Sequence, residues 1–288
     1  YEDWNGIVYP KPRPKGFSPL EFLIKYFDVL EINSSFYAIP APHIVERWAT
    51  AAAKKPGFEF TMKLWQGFTH ERQKMDEGNV QSFIAAAKPL QQAGVLGSIL
   101  IQFPWSFRPE KSNIDYLNAL LDRFSQFPLT VEIRHDAWVA ESGAHDITDI
   151  LKPRGVAFCN IDQPRLHDCI GLTQLVTAPH AYLRVHGRNY EHWFRQDADR
   201  NARYDYLYSP PEVMELADAV RELKSQATKV YVITNNHWRG QAAANALQIK
   251  AEVEQAIIEA PAELCKNYNL GPNVIPSIED TKQMELFQ

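Results

Sequence analysis

The feature that most constrains this chain is a recurrence of short strand-like runs separated by helical patterns. The runs are "DVLEINSSFY" (28–37), "GFEFTMKLW" (57–65), "GSILIQFPWSF" (97–107), "LTVEIRHDAW" (129–138), "GVAFCNID" (155–162), "AYLRVHGRN" (181–189) and "KVYVITNNH" (229–237). Helical stretches of roughly 10–15 residues lie between most of them, too long for hairpins and suited to crossovers, so the strands are expected to run parallel. In "SPLEFLIKYF", Ser18 is placed to cap, Pro19 to open the first turn and Glu21 to complete a capping box. Parallel strands covered on both faces build an open doubly wound sheet or a closed barrel. No glycine-rich dinucleotide fingerprint follows any of these strands, which favours the barrel. The expected fold class is α/β, a single-domain (β/α)8 TIM-type barrel. Seven strands are legible, and the first of eight is expected to be missing or to lie outside this chain, ahead of Tyr1. The barrel is expected over residues 1–260 and a C-terminal tail over 261–288.

Strand side chains alternate between faces, so residues two apart point the same way. Near the strand ends one parity is polar: Glu31 and Asn33, Thr61 and Lys63, Gln102, Glu132 and Arg134, Asn160 and Asp162, Arg184 and His186, and Asn235. The other parity is mostly apolar, as in Leu30, Met62, Val131, Cys159, Leu183 and Val232. The apolar set is expected to pack under the helices. The polar set is expected to point inward at the C-terminal mouth, where barrels build their active sites. Cys159, on the apolar parity, is expected to be core rather than a nucleophile.

Composition removes several function classes. With 45% hydrophobic and 23% charged residues the chain has a substantial core, which sets it apart from disordered and fibrous proteins. Three cysteines without metal-type spacing argue against a disulfide framework and for a reducing compartment. A net charge of −5 carries no basic tail for nonspecific nucleic-acid binding. No apolar run approaches the ~18 residues of a membrane span, so a soluble, cytoplasmic protein is expected.

The motifs "VLEINSSFYAIP", "VERW", "FTMK…THER", "ILIQFPWSF", "VEIRHDAW", "LRVHGRN" and "NNHWRGQAAANA" occur in an order that resembles the domain-of-unknown-function-72 (YecE-like) family. The resemblance runs from about Tyr1 to Leu247. It implies a β/α barrel and leaves the activity to be read from the residues.

The inward set suggests anion chemistry. Lys63, Arg134 and Arg184 are expected to bind phosphate or carboxylate, helped by Gln102, Asn33, Asn235, Asn236 and Arg239. Gly240 opens a helix pattern after the last strand, where free backbone N–H groups favour an anion, although a tight turn alone also explains a glycine there. Glu132 and His186 are the expected proton carriers, His186 because imidazole titrates near neutral pH. Glu31 and Asp162 orient them or, with Glu132 and His186, hold Mg2+ or Mn2+. The leading expectation is an enzyme acting on an anionic, phosphate-containing substrate, with a phosphoric-ester hydrolase that processes DNA as its specific form. A metal-independent isomerase or lyase of a small phosphorylated metabolite is the alternative, and a non-catalytic module recruited to the sliding clamp is another. The clamp enters through "QMELF" (283–287), which resembles the short clamp-binding peptide of bacterial DNA-processing proteins. There Gln283 would give polar specificity while Leu286 and Phe287 fill an apolar pocket.

Overall fold

The computed structural model describes residues 2–72, 75–139, 146–165, 168–191, 204–278 and 280. Seven strands form one sheet in strictly sequential order: β1 (Val29–Ile32), β2 (Glu59–Lys63), β3 (Leu96–Gln102), β4 (Leu129–Glu132), β5 (Ala157–Asp162), β6 (His180–Val185) and β7 (Lys229–Thr234). All six neighbouring pairs are parallel. The helices that return the chain are α1 (Pro19–Tyr26), α2 (Ser34–Tyr37), α3 (Pro42–Ala52), α4 (Gln66–Thr69), α5 (Glu77–Gln92), α6 (Lys111–Phe124), α7 (Ile147–Leu151), α8 (Pro210–Gln226) and α9 (Gln241–Glu254).

Local sequence sets several of the helix starts. Ser18 Oγ accepts from Glu21 N–H at 3.4 Å ahead of α1, and Asp76 accepts from Asn79 N–H at 2.9 Å ahead of α5. Ser209 and Glu212 form a reciprocal capping box before the Pro210–Pro211 start of α8. Outside the barrel wall, Phe58 just ahead of β2 and Phe60 and Met62 within it join Phe83 of α5 and Phe124 of α6 in the main apolar core. Each large buried side chain of that kind contributes about 1.5–3 kcal/mol.

The sheet curls until β1 and β7 come together, giving a nearly closed parallel barrel. Arg184 of β6 reaches Glu31 of β1 at 2.7 Å, and Lys229 of β7 reaches Glu59 of β2 at 2.8 Å. Among the described residues no ladder joins β1 to β7. The seam between them is a cavity of about 600 Å³ lined largely by apolar side chains, including Leu20, Leu23 and Phe27 beside α1 and Val230, Val232 and Ile249 on the other side. The seven strands legible in the sequence are thus the seven strands of this barrel, with the seam between β1 and β7.

The stretch expected to be a tail from residue 261 is folded well beyond that point. β8 (Ile258–Ala260) pairs in parallel with β9 (Val274–Pro276) across α10 (Ala262–Asn267). Leu264, Leu270 and Val274 are buried with Trp4, Val8, Tyr9, Phe22 and Tyr26 in a second apolar cluster. Gln283, Leu286 and Phe287 lie outside the described residues.

Candidate active site

The ladder registers show which side chains enter the barrel, because paired residues of neighbouring strands face the same way. Glu31 pairs with Thr61, Gln102 with Glu132, and Arg184 with Ile233. These carry Glu31, Thr61, Lys63, Gln102, Glu132 and Arg184 inward, as expected. β5 is the exception. Thr130 pairs with Ala157, and Ile161 with Arg184, so Cys159 and Ile161 enter the barrel while Asn160 and Asp162 face the helical layer. Alternation along β5 was legible, but its polarity is inverted because its polar groups serve the outer loops. Asn160 bonds Thr173 and both backbone groups of Leu175. Asp162 accepts from Arg188 Nε at 3.0 Å and Nη2 at 2.7 Å, and from the Tyr208 hydroxyl. Arg188 also pairs with Glu215 at 2.8 Å. Asp162 therefore anchors the segment ahead of α8 and is not part of the mouth cluster.

Inside the mouth, Arg184 is 1% exposed and divides its guanidinium between two carboxylates. Its Nη1 donates to Glu132 Oε2 at 2.6 Å and its Nη2 to Glu31 Oε1 at 2.7 Å. Arg134 donates to Glu132 Oε1 through Nε at 2.9 Å, with Nη2 at 2.8 Å. The Tyr182 hydroxyl bridges Glu31 Oε2 and Thr61 Oγ1, both at 2.9 Å. Asn235 Nδ2 lies 3.1 Å from His186 Nδ1, and His186 Nε2 lies 3.6 Å from Glu132 Oε1. Buried ions so close survive only when each is matched by others. Burial alone would raise the Glu132 carboxyl, but Arg184 and Arg134 outweigh it and hold it well below the usual carboxylate range. Glu132 is thus ionised and engaged. Arg184 is in the same position, so the anion-binding role expected of it is already filled by the protein's own carboxylates.

His186 is fully buried, and burial together with Arg134 pushes its pKa down to about 3. The imidazole is therefore neutral at pH 7 and does not titrate there, contrary to the expectation that made it the first choice of proton carrier. Cys159, inside the wall, is pushed up well above the ordinary thiol range by burial and by Glu132, so it stays protonated.

Lys63 differs from its neighbours. It closes β2 with 8% of its surface exposed, and its Nζ sits 4.2 Å from the centre of the Phe36 ring. No carboxylate among the described residues lies within ion-pair distance of it. Burial and then the Arg184 charge push it down to about 8. His70 stands on the same side of the mouth, 5.0 Å from the Phe36 ring, and burial with the Lys63 charge holds it near 4. Tyr182 and Phe36 had no role in the sequence reading of the inward set. Tyr182 shares the parity of Arg184 and was legible on that ground.

The remaining candidates fall away from the mouth or do other work. Asn33 precedes α2 and Asn235 follows β7, and both line the seam, Asn235 while also meeting His186. Asn236 Nδ2 donates to Tyr206 O and to Asn245, away from the barrel interior. Arg239 N–H donates to the Asp3 carboxylate at 2.7 Å in the turn ahead of α9. Gly240 has φ +82°, and a Cβ there would stand 2.6 Å from Val8 Cγ2, so close packing accounts for the glycine. Among the described residues no three His, Cys, Asp or Glu side chains gather as a metal site. Arg184 stands between the two inward carboxylates, and Asp162 is outside the wall. No helix of the described residues is long and apolar enough to cross a membrane.

Fold and site together define a parallel β/α barrel with a charged, largely self-neutralised mouth. A family model described as protein of unknown function DUF72 matches residues 1–265, and the chain belongs to that family. The UPF0759 protein YunF of Bacillus subtilis is 27% identical over 255 residues, covering 85% of this chain and 89% of that protein. YecE of Escherichia coli K12 is 27% identical over 162 residues, 55% of this chain and 57% of its own. Among solved structures, a DUF72 family protein of Thermotoga maritima superposes with TM-score 0.74 at 33% identity, covering 88% of this chain and 95% of that one. One from Enterococcus faecalis gives 0.77 at 27% identity, covering 82% and 88%.

Proposed function

We propose that the barrel is an enzyme acting on a small anionic substrate, a carboxylate or phosphate monoester, at its C-terminal mouth. The observation that carries this reading is the charge balance of the mouth. Glu31 and Glu132 engage Arg184 and Arg134, while Lys63 has no carboxylate within ion-pair distance among the described residues. One cation in excess, beside the partly exposed Arg134, suits one small anion. An isomerase or lyase is the better match among the expected classes, since no cluster of metal ligands supports metal-assisted phosphodiester hydrolysis among the described residues. Duplex DNA demands many phosphate contacts, and a net charge of −5 works against them.

The test is calorimetric titration of the protein with inorganic phosphate, acetate and glyoxylate, for wild type and Lys63→Met. Binding of at least one anion, weakened about tenfold or more in the variant, is the expected result. Equal affinity in both proteins, or no binding of any of the three, would remove the reading. The DNA-processing reading rests on "QMELF" alone. It predicts that the peptide ending at Phe287 binds the sliding clamp and that wild type, unlike Glu132→Gln, cleaves nicked or abasic DNA. Absence of both activities would end it.

A further inference from the structure

We propose that Lys63 is a covalent site, an amine that forms an imine with the carbonyl carbon of a small oxo-acid. This rests on the anion reading above and names the substrate class: an aldehyde or ketone carrying a carboxylate or phosphate. Three features of the geometry point to it. The Lys63 ammonium is buried at the end of β2, yet it makes no hydrogen bond or ion pair with a described residue that would tie up its lone pair once deprotonated. The Phe36 ring covers it at 4.2 Å and helps shut out water; the ring face itself attracts a cation, but the loss of hydration is the larger effect and disfavours the charged form. Finally, Arg134, 19% exposed, stands at the same mouth to receive the substrate's anionic group. Desolvation beside other cations is the environment that turns a lysine into a nucleophile at neutral pH.

In the step itself the neutral amine attacks the carbonyl carbon. The C–N bond forms as the carbonyl electron pair moves to oxygen; the nitrogen gives up its two protons to that oxygen, the C–O bond breaks, and water departs to leave C=N. The charged and titratable groups around Lys63 come from every side of the mouth: Arg184 from β6, Glu31 from β1, Glu132 and Arg134 at the end of β4, and His70, neutral at pH 7, after α4. With its pKa at about 8, roughly a tenth of Lys63 is neutral at pH 7, about 300-fold more than for an unperturbed lysine.

The experiment incubates the full chain with glyoxylate and cyanoborohydride at pH 7, then maps the reduced adducts by peptide mass spectrometry. Glycolaldehyde, a neutral aldehyde, runs in parallel, and calorimetry on acetate reports anion binding separately. Lys63 is expected to be labelled at least about tenfold faster than the exposed Lys54 and Lys111, which are 65% and 87% exposed. The preference for glyoxylate over glycolaldehyde should fall in Arg134→Met, whose overall fold is checked by circular dichroism. Labelling no faster than at Lys54 and Lys111 overturns the covalent role. If acetate still binds in that case, the anion reading survives alone; if it does not, both fall. Equal labelling by both aldehydes keeps the amine and overturns the anion.

Discussion

Removing Arg184 puts the reading of the mouth to a severe test. Its guanidinium is shared by Glu31 and Glu132 at 2.7 and 2.6 Å with 1% exposure, so Arg184→Met leaves two buried carboxylates short of a cation. Breaking a buried pair in this way costs about 3–5 kcal/mol, which for a domain of this size is a fall in Tm of roughly 6–20 °C. The loss should depend on pH. Glu132 titrates well below its ordinary value of 4.5 in the folded protein, so its contribution is present above that pH and is lost as pH falls through the folded value. In the variant the same carboxyl is held less firmly, and its charge is penalised in the pH range where wild type gains. The gap between wild type and variant is therefore widest at neutral pH and narrows below about pH 4.5. Urea denaturation of both proteins from pH 7 to pH 4 measures it, with Arg184→Met/Glu31→Gln expected to recover part of the loss. A loss under about 1 kcal/mol, or a gap constant with pH, would refute the argument that this arginine is a buried bridge.

Three further outcomes follow from the same geometry. The His186 ring resonances should not titrate between pH 5 and 8 by NMR; because its folded pKa of about 3 lies below the ordinary 6.5, its contribution to stability is present above pH 6.5 and lost as pH falls towards 3. Gly240→Ala, at φ +82° and with Val8 Cγ2 2.6 Å from the new methyl, should cost roughly 2–4 kcal/mol in chemical denaturation without weakening acetate or phosphate binding. In a thiol titration of the native protein, Cys169 and Cys265 should react while the fully buried Cys159 reacts only after unfolding.

Much of the fold was legible from the chain alone. Seven apolar runs spaced by helical patterns imply sequential parallel pairing, because the spacing forbids hairpins and each strand needs cover on both faces. The alternation of polar and apolar residues is fixed by the two-residue period of a strand, so Glu31, Lys63, Glu132, Arg184 and His186 could be named as one inward set before any contact was known. What alternation cannot say is which of its two faces is the inner one. For β5 that was decided by register: pairing of Ile161 with Arg184 turns Asp162 out to Arg188 and Tyr208 and brings Cys159 in. The chemistry of the set was likewise decided only in three dimensions. A charge's availability depends on what lies within a few ångströms of it, and these neighbours come from strands far apart in sequence. Arg184 meets Glu31 across 153 positions and is neutralised, Asp3 reaches Arg239 across 236 in the turn ahead of α9, and burial silences His186. Sequence determined the barrel and its charged interior; tertiary contact decided how those charges pair, because only the folded mouth shows that, among the described residues, the carboxylates engage Arg184 and Arg134 and leave Lys63 without an ion pair.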